Sequence, residues 1–123
     1  MSEALKVLII DDNHLFRESL SLLIEKHRFI VVGKIDQIAD AWSLIEQQNP
    51  NIICLDLVMP EQDTLNFIVQ VKKKYPAIST IVCSSLKEEH IVSKALETGC
   101  FDYLFKPFEE QRLIQSLEKA GAA

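Results

Sequence analysis

Short apolar runs recur along the chain and are separated by longer segments of mixed polarity. The first four runs are nearly continuous in apolar residues and rich in β-branched side chains. This composition is typical of parallel strands that are covered on both faces and need no polar face. The runs predict strands at 5–10, 29–33, 51–56, 79–85 and 101–105.

The segments between the runs repeat apolar residues at helical spacing. In the second segment, the i, i+3, i+4 and i+7 positions of one helix face are occupied by Ile38, Ala41, Trp42 and Ile45. Similar stripes in the other segments are formed by Leu15, Phe16, Leu20 and Leu23, by Ile68 and Val71, by Ile91, Val92, Ala95 and Leu96, and by Leu113, Ile114 and Leu117. Asn49-Pro50, Tyr75-Pro76 and Gly99 precede the last three strands as breakers. A helix is therefore predicted after each strand.

Regular alternation of strand and helix predicts an α/β fold. Such a chain forms a parallel sheet between helices, with right-handed crossovers. No linker, repeat or low-complexity stretch divides residues 1–123, so we expect a single domain. Ligands of open sheets of this kind bind beyond the carboxyl ends of the strands, and functional side chains are expected there.

Polar residues collect at four of the predicted strand ends. Asp11 and Asp12 follow the first strand, and Asp56 ends the third. Ser84 lies at the end of the fourth strand, and Lys106 follows the fifth. Each residue alone has a simpler explanation, such as a helix cap, a turn residue or a solvated lysine. Their coincidence at one edge of a parallel sheet favours a functional site.

Three carboxylates at close range repel one another, and a hard divalent cation relieves that repulsion. Mg²⁺ prefers oxygen ligands and is commonly held by one or two carboxylates together with a phosphate. The histidines, His14, His27 and His90, fall in helical segments and are interpreted as surface or packing residues. The acidic cluster therefore favours Mg²⁺ over a transition metal.

Composition and charge argue against two further classes of protein, nucleic-acid binders and membrane proteins. Apolar residues make up 48% of the 123 residues, the net charge is −5, and no basic cluster is present, so direct binding of nucleic acid is not expected. No apolar run approaches the roughly 18 residues of a membrane span, and the N-terminus lacks a signal-peptide pattern. We therefore expect a cytoplasmic protein. Cys54, Cys83 and Cys100 have no metal-binding spacing and are interpreted as buried thiols.

The chain resembles, over its whole length, the receiver domain of two-component response regulators. The resemblance is carried by Asp11-Asp12, by Asp56-Leu57-Val58-Met59-Pro60, by Ser84, by Ala95 and Gly99, by Tyr103 and by Lys106-Pro107-Phe108. It implies a flavodoxin-like (βα)5 fold, a doubly wound parallel sheet with strand order 2-1-3-4-5.

The resemblance also implies a phosphoacceptor. Asp56 would take a phosphoryl group from a phosphohistidine on a sensor histidine kinase or a histidine phosphotransfer protein. Mg²⁺ would be bound directly by Asp12 and Asp56, through a water by Asp11, and by the backbone carbonyl of Val58. The domain would catalyse only its own phosphorylation and dephosphorylation and would not be an enzyme for other substrates.

A switch is implied as well. Ser84 and Lys106 would bind phosphoryl oxygens, with the Lys106-Pro107 bond in the cis form. Movement of Ser84 would let Tyr103 turn inward and change the face formed by the fourth helix, fifth strand and fifth helix. That face would act on an output domain beyond residue 123 or on a separate protein, and it would also serve a homodimer.

The chain departs from the residues that are usual in the family. Thr64 follows Asp63 where glycine is common, so the loop is expected to do without a positive φ at that position. Val58 and Leu86, which flank the path of attacking water in the family, are apolar, and we expect slow loss of the phosphoryl group. Smaller departures are Ser84, Ser85 and Cys100.

Three alternatives remain open at this level. A metal-dependent phosphohydrolase with Asp56 as its nucleophile would need a second acid, and Val58 occupies the place where some such families carry it. A flavodoxin-like cofactor binder would need a glycine- and hydroxyl-rich loop where residues 11–16 read DDNHLF. A pseudo-receiver that acts only through protein contacts would not need so complete an acidic site.

Overall fold

The computed structural model describes residues 4–122 and contains each predicted strand and helix. The elements are β1 (Lys6–Ile10), α1 (His14–Lys26), β2 (Ile30–Ile35), α2 (Ala41–Gln48), β3 (Ile52–Asp56), α3 (Thr64–Lys74), β4 (Ser79–Ser84), α4 (Glu89–Glu97), β5 (Asp102–Phe105) and α5 (Glu110–Ala122). A 3-10 turn, Ile38–Asp40, directly precedes α2.

The strands form one parallel sheet in the order β2-β1-β3-β4-β5, which confirms the predicted order. Asp56 at the end of β3 is paired with Cys83, and Ser84 at the end of β4 is paired with Phe105. The carboxyl ends of β1, β3, β4 and β5 therefore meet at one edge of the sheet.

β2 is the outer strand next to β1, and it extends two residues further than predicted. Its last two residues pair with the last two of β1, because tertiary pairing overrides the weak strand preference around Gly33 and Lys34. A Cβ atom on Gly33 would lie 2.8 Å from Leu8 and 3.0 Å from Leu44. Glycine at this position therefore allows the close approach of the buried Leu8 and the partly buried Leu44.

Two apolar layers cover the two faces of the sheet. The layer under α2, α3 and α4 includes Ile53 and Leu55, and the layer under α1 and α5 includes Ile52 and Cys54. Neighbouring residues of β3 point to opposite layers, which explains its unbroken apolar run. Burial of a large aliphatic side chain stabilises a fold by about 1.5–3 kcal/mol, so both layers hold the strand ends in place.

The predicted helix stripes are confirmed in α3 and α5 and are partly wrong in α1 and α4. In α1, Leu20 and Ile24 are buried, whereas Leu15 is 77% exposed. Leu15 lies seven residues before Leu22, which is also exposed, so both side chains are on the outward face of α1, whereas Phe16 of the same turn packs inward. In α4, Ala95 is buried and Leu96 points to solvent.

The three cysteines are free and buried, as predicted. Burial raises the pKa of the Cys100 thiol to about 11, so this side chain stays neutral and packs as a small apolar group. Within residues 4–122, each helix is too short or too polar to cross a membrane.

Candidate functional site

Three carboxylates converge at the carboxyl edge of the sheet. Oxygens of Asp11, Asp12 and Asp56 all lie within 4.8 Å of one another. Asp11 and Asp56 are buried at 1% and 7% exposure, whereas Asp12 is exposed. Oxygen ligands open to water on one side fit a hard cation such as Mg²⁺, which retains several waters. The prediction of an acidic cluster at this edge is confirmed.

Asp11 and Asp12 are not used to cap α1, which leaves their carboxylates available to bind a cation. Asn13 caps the helix, because its side-chain oxygen accepts a hydrogen bond from the Phe16 N–H at 2.9 Å. The simpler explanation from the sequence, that Asp11 or Asp12 caps the helix, is therefore wrong, because Asn13 is the cap. The carboxylate of Asp11 instead accepts a hydrogen bond from the Asn13 N–H at 2.9 Å.

Lys106 brings the opposite charge into the cluster. Its Nζ lies 2.8 Å from Asp11 Oδ2 and 3.7 Å from Asp56 Oδ1. The Lys106 N–H donates to the Ser84 carbonyl at 2.8 Å, which fixes the start of the β5–α5 loop against the end of β4. The Lys106-Pro107 peptide bond is cis, as predicted.

The buried position of Asp56 changes its acidity. Desolvation raises the pKa of the carboxyl group to about 6, and the charges of Asp11 and Asp12 act in the same direction. The Lys106 ammonium and a hydrogen bond from the Val58 N–H at 3.3 Å oppose the rise. Asp56 is therefore mostly ionised at neutral pH, and a cation bound beside it would favour the ionised form further.

Ser84 and Tyr103 both bind the backbone of Leu86. The Leu86 N–H donates to Ser84 Oγ at 3.1 Å, and the Tyr103 hydroxyl donates to the Leu86 carbonyl at 2.7 Å. Both side chains are buried, and the Tyr103 ring packs edge-on against Phe105 at 5.4 Å. Sequence patterns did not indicate the bridging role of Leu86, because it is carried by backbone atoms.

The β3–α3 loop is held without a glycine after Asp63. Asp63 caps α3 by accepting a hydrogen bond from the Asn66 N–H at 3.0 Å, and Thr64 already lies in the helix. The Thr64 hydroxyl donates to the Leu57 carbonyl at 2.8 Å. The positive φ of the loop falls instead on Glu61, at 62°. Thr64 thus ties the start of α3 to the residue after Asp56.

Two further residues near the site were not found from the sequence. Gln62 accepts a hydrogen bond from the Ile38 N–H at 2.6 Å and donates to the Asp36 carbonyl at 3.1 Å, so it joins the β3–α3 loop to the loop after β2. Arg17 donates to the Asp11 carbonyl at 2.6 Å. Neither Gln62, which follows the Met-Pro turn, nor Arg17 in α1 belongs to a sequence pattern that indicates a role in the site.

The remaining predicted residues lie around this cluster. Val58 is 47% exposed beside Asp56. His14 and His90 are exposed, and His27 pairs with Glu110 at 2.5 Å. As predicted, these histidines are surface or packing residues.

Comparison with known proteins agrees with this geometry. The family model for the response regulator receiver domain matches residues 7–118. The chemotaxis protein CheY of Listeria monocytogenes is 33% identical over 117 residues, which cover 95% of this chain and 98% of that protein. The transcriptional regulatory protein YdfI of Bacillus subtilis is 34% identical over 116 residues, but these make up only 54% of YdfI. The structure of the NarL signal receiver domain from Mycobacterium tuberculosis has a TM-score of 0.91 at 26% identity, with 99% of each chain covered. The matches favour a receiver over the phosphohydrolase and cofactor-binding alternatives.

Proposed function

The chain belongs to the response regulator receiver family, which acts in two-component phosphorelay signalling, and on that premise we propose that Asp56 is its phosphoacceptor. One observation carries the proposal: Asp56 is a buried, ionisable carboxylate that lies among two further acids and a lysine at the end of a central strand. We assign residues 1–123 to one receiver domain.

In the proposed reaction an Asp56 carboxylate oxygen attacks the phosphorus of a phosphohistidine. The phosphorus–nitrogen bond breaks, and its electron pair returns to the imidazole of the donor, a sensor histidine kinase or a histidine phosphotransfer protein. Phosphoryl transfer of this kind depends mainly on an aligned nucleophile and on neutralisation of charge. The protein would supply both for its own phosphorylation, and no other substrate is required.

Mg²⁺ is the metal that we propose for the acidic cluster. Asp12, Asp56 and the Val58 carbonyl would bind it directly, and Asp11 would act through a coordinated water. The contacts of Asp11 support the indirect role, because its two oxygens are already engaged by the Asn13 N–H and by Lys106. Bound Mg²⁺ supplies positive charge beside the transferring phosphoryl group.

Lys106 and Ser84 are the proposed contacts for the phosphoryl oxygens. The Lys106 ammonium lies 3.7 Å from Asp56 Oδ1, close enough to reach an oxygen of a phosphoryl group attached there. Ser84 is fully buried, and its hydroxyl would exchange its present contact with the Leu86 N–H for one to the phosphoryl group. Each donor offsets charge that develops during transfer.

The proposed output is a change at the face formed by α4, β5 and α5. Ser84 and Tyr103 share Leu86 as a hydrogen-bond partner, so a movement of Ser84 is transmitted to the loop that holds the Tyr103 hydroxyl. Leu96 and Phe105 present apolar surface on this face at 51% and 42% exposure. An output domain, a downstream protein or a second copy of the chain would bind there.

The decisive experiment is phosphorylation by a small phosphodonor such as acetyl phosphate in Mg²⁺ buffer. Intact mass spectrometry should show a gain of about 80 Da, the mass of one HPO₃ group. Asp56→Ala should abolish the gain, whereas Asp36→Asn, which changes an exposed carboxylate outside the cluster, should retain it. Absence of the adduct on the unaltered protein, or its persistence in Asp56→Ala, would overturn the proposal.

A further inference from the structure

An aromatic ring contacts the ammonium group of the acidic cluster. Lys106 Nζ lies 3.9 Å from the centroid of the Phe16 ring, well inside the roughly 6 Å limit for a cation–π interaction. Phe16 lies in the first turn of α1, directly beyond the acids that follow β1. The Lys106 side chain is only 19% exposed, so solvent screens this contact weakly.

A second ring fixes the orientation of the first. Phe16 and Phe108 meet edge to face, with centroids 6.0 Å apart and an interplanar angle of 86°. Both rings are partly buried against the apolar layer under α1 and α5. Phe108 follows Lys106 by two residues, so the loop that carries the lysine also carries the support for the ring that it contacts.

The ring differs from the acids in one respect that matters for the reaction. A flexible lysine side chain loses rotamer entropy when it is fixed, so its contacts determine where the ammonium rests. Asp11 holds the ammonium by a strong hydrogen bond and competes with any phosphoryl oxygen for it. The Phe16 face attracts the same charge but forms no strong hydrogen bond with it, so it competes with the phosphoryl oxygens for the N–H groups less than Asp11 does.

We infer that Phe16 is a positioning residue, which holds the Lys106 ammonium beside Asp56 while its hydrogen bonds pass from Asp11 to the phosphoryl group. This inference rests on the function proposed for Asp56 and Lys106. Phe16→Leu should slow phosphorylation at saturating phosphodonor by about three- to tenfold, with a smaller change in the donor concentration at half-saturation. Phe16→Tyr should restore most of the rate, because its ring face attracts a cation similarly.

Graded fluorination gives the sharpest test. Phenylalanines with one, two and three ring fluorines, incorporated at position 16, withdraw charge from the ring face with little change in shape. The logarithm of the rate should fall steadily with the number of fluorines. The same series at Phe67, which is buried in the opposite layer against Trp42, should leave the rate unchanged. A flat series at position 16, or an equal slope at Phe67, would overturn the inference.

Two further measurements separate positioning from simple packing. In a Lys106→Ala background, Phe16→Leu should have no additional effect on the rate; an undiminished effect would show that Phe16 does not act through the lysine. In the metal-free protein, ring current from Phe16 should shift the NMR signals of the Lys106 ε-protons upfield, and Phe16→Leu should abolish that shift. If no adduct forms on Asp56, the proposed function fails, while the ε-proton shift still reports whether the ring holds the lysine.

Discussion

The Lys106 ammonium lies 2.8 Å from Asp11 Oδ2, although 95 residues separate the two in the chain. The Asp11 side chain is 2% exposed, and that of Lys106 is 19% exposed. An ion pair this deep in the protein is costly to break, because removal of one partner leaves the other charge buried without compensation. The ion pair connects the loop after β1 to the loop after β5.

Lys106→Met should destabilise the metal-free protein by about 2–3 kcal/mol, below the value for a fully buried pair because some solvent reaches the lysine. Loss of the ammonium leaves three carboxylates within 4.8 Å of one another without the cation that now pairs with Asp11 and Asp56. Urea unfolding in the presence of a chelator measures the effect. Lys119→Met, which removes an exposed lysine from α5, is the control and should change stability by less than about 0.5 kcal/mol. Equal stabilities for the two variants would contradict the expectation.

Asp56 should make stability depend on pH in the opposite direction to an ordinary ion-paired acid. Burial raises its pKa to about 6 in the folded protein, from about 3.8 in the unfolded chain. Between these values the folded state binds more protons, so the contribution of Asp56 to stability falls as pH rises from about 4 to about 6. Asp56→Asn removes this loss and should stabilise the metal-free protein by about 1–2 kcal/mol at pH 7, and by less at pH 4.5.

The difference in unfolding free energy between wild type and Asp56→Asn, measured in urea at both pH values, isolates the contribution of this carboxyl group. A difference that does not change with pH would show that Asp56 titrates normally. Addition of Mg²⁺ should stabilise the wild type more than the variant, since the cation binds the folded state through the carboxylate.

Asp102 on β5 should show the usual acid dependence. Burial alone would raise its pKa, but hydrogen bonds from Arg112 at 2.9 Å and from Ser116 at 2.7 Å bring the pKa below its ordinary value. The stability that it contributes is therefore present above the unfolded pKa and is lost as pH falls through the lower, folded value. Asp102→Asn should cost about 1–2 kcal/mol at pH 7, and the cost should shrink as the pH falls below the unfolded pKa and through the lower, folded pKa. A cost that persists at acid pH would mean that the carboxylate charge is not responsible.

Loss of the phosphoryl group should be slow, because the side chains of Val58 and Leu86 cannot orient an attacking water by hydrogen bonding. Val58 is 47% exposed beside Asp56, so a polar replacement there would face solvent next to the acceptor. Val58→Asn should accelerate loss of the adduct by about tenfold, as one well-placed hydrogen bond is worth about 1 kcal/mol or more. The decay of the adduct in Mg²⁺ buffer after removal of the phosphodonor measures this.

Leu22→Asn is a matched control for that substitution, since Leu22 is also an exposed aliphatic side chain but lies on α1 away from Asp56. Its adduct should decay at the wild-type rate. A wild-type adduct that disappears within seconds would refute the hypothesis of a long-lived signal, whatever the variants do.

The sequence by itself determined the elements and the acids at their ends. Short unbroken apolar runs rich in β-branched residues favour strands buried on both faces, and a carboxylate at the end of such a strand reaches the sheet edge. The strand order and the roles of individual residues came from resemblance to receivers, because periodicity cannot choose which strands are neighbours. Helix faces were predicted correctly where the apolar stripe was clear, as at Ile68 and Val71, and the prediction was wrong at Leu15, which lies with Leu22 on the outward face of α1.

The tertiary structure alone decided which side chains touch. Asn13 caps α1 in place of the acids before it, and the backbone of Leu86 joins Ser84 to Tyr103. The Phe16 ring lies against Lys106 only because the start of α1 and the β5–α5 loop lie at the same edge of the sheet. The hydrophobic pattern of a strand or helix shows which of its faces is buried. Contacts between elements depend on side-chain rotamers and on helix placement, which are set when the apolar layers pack together.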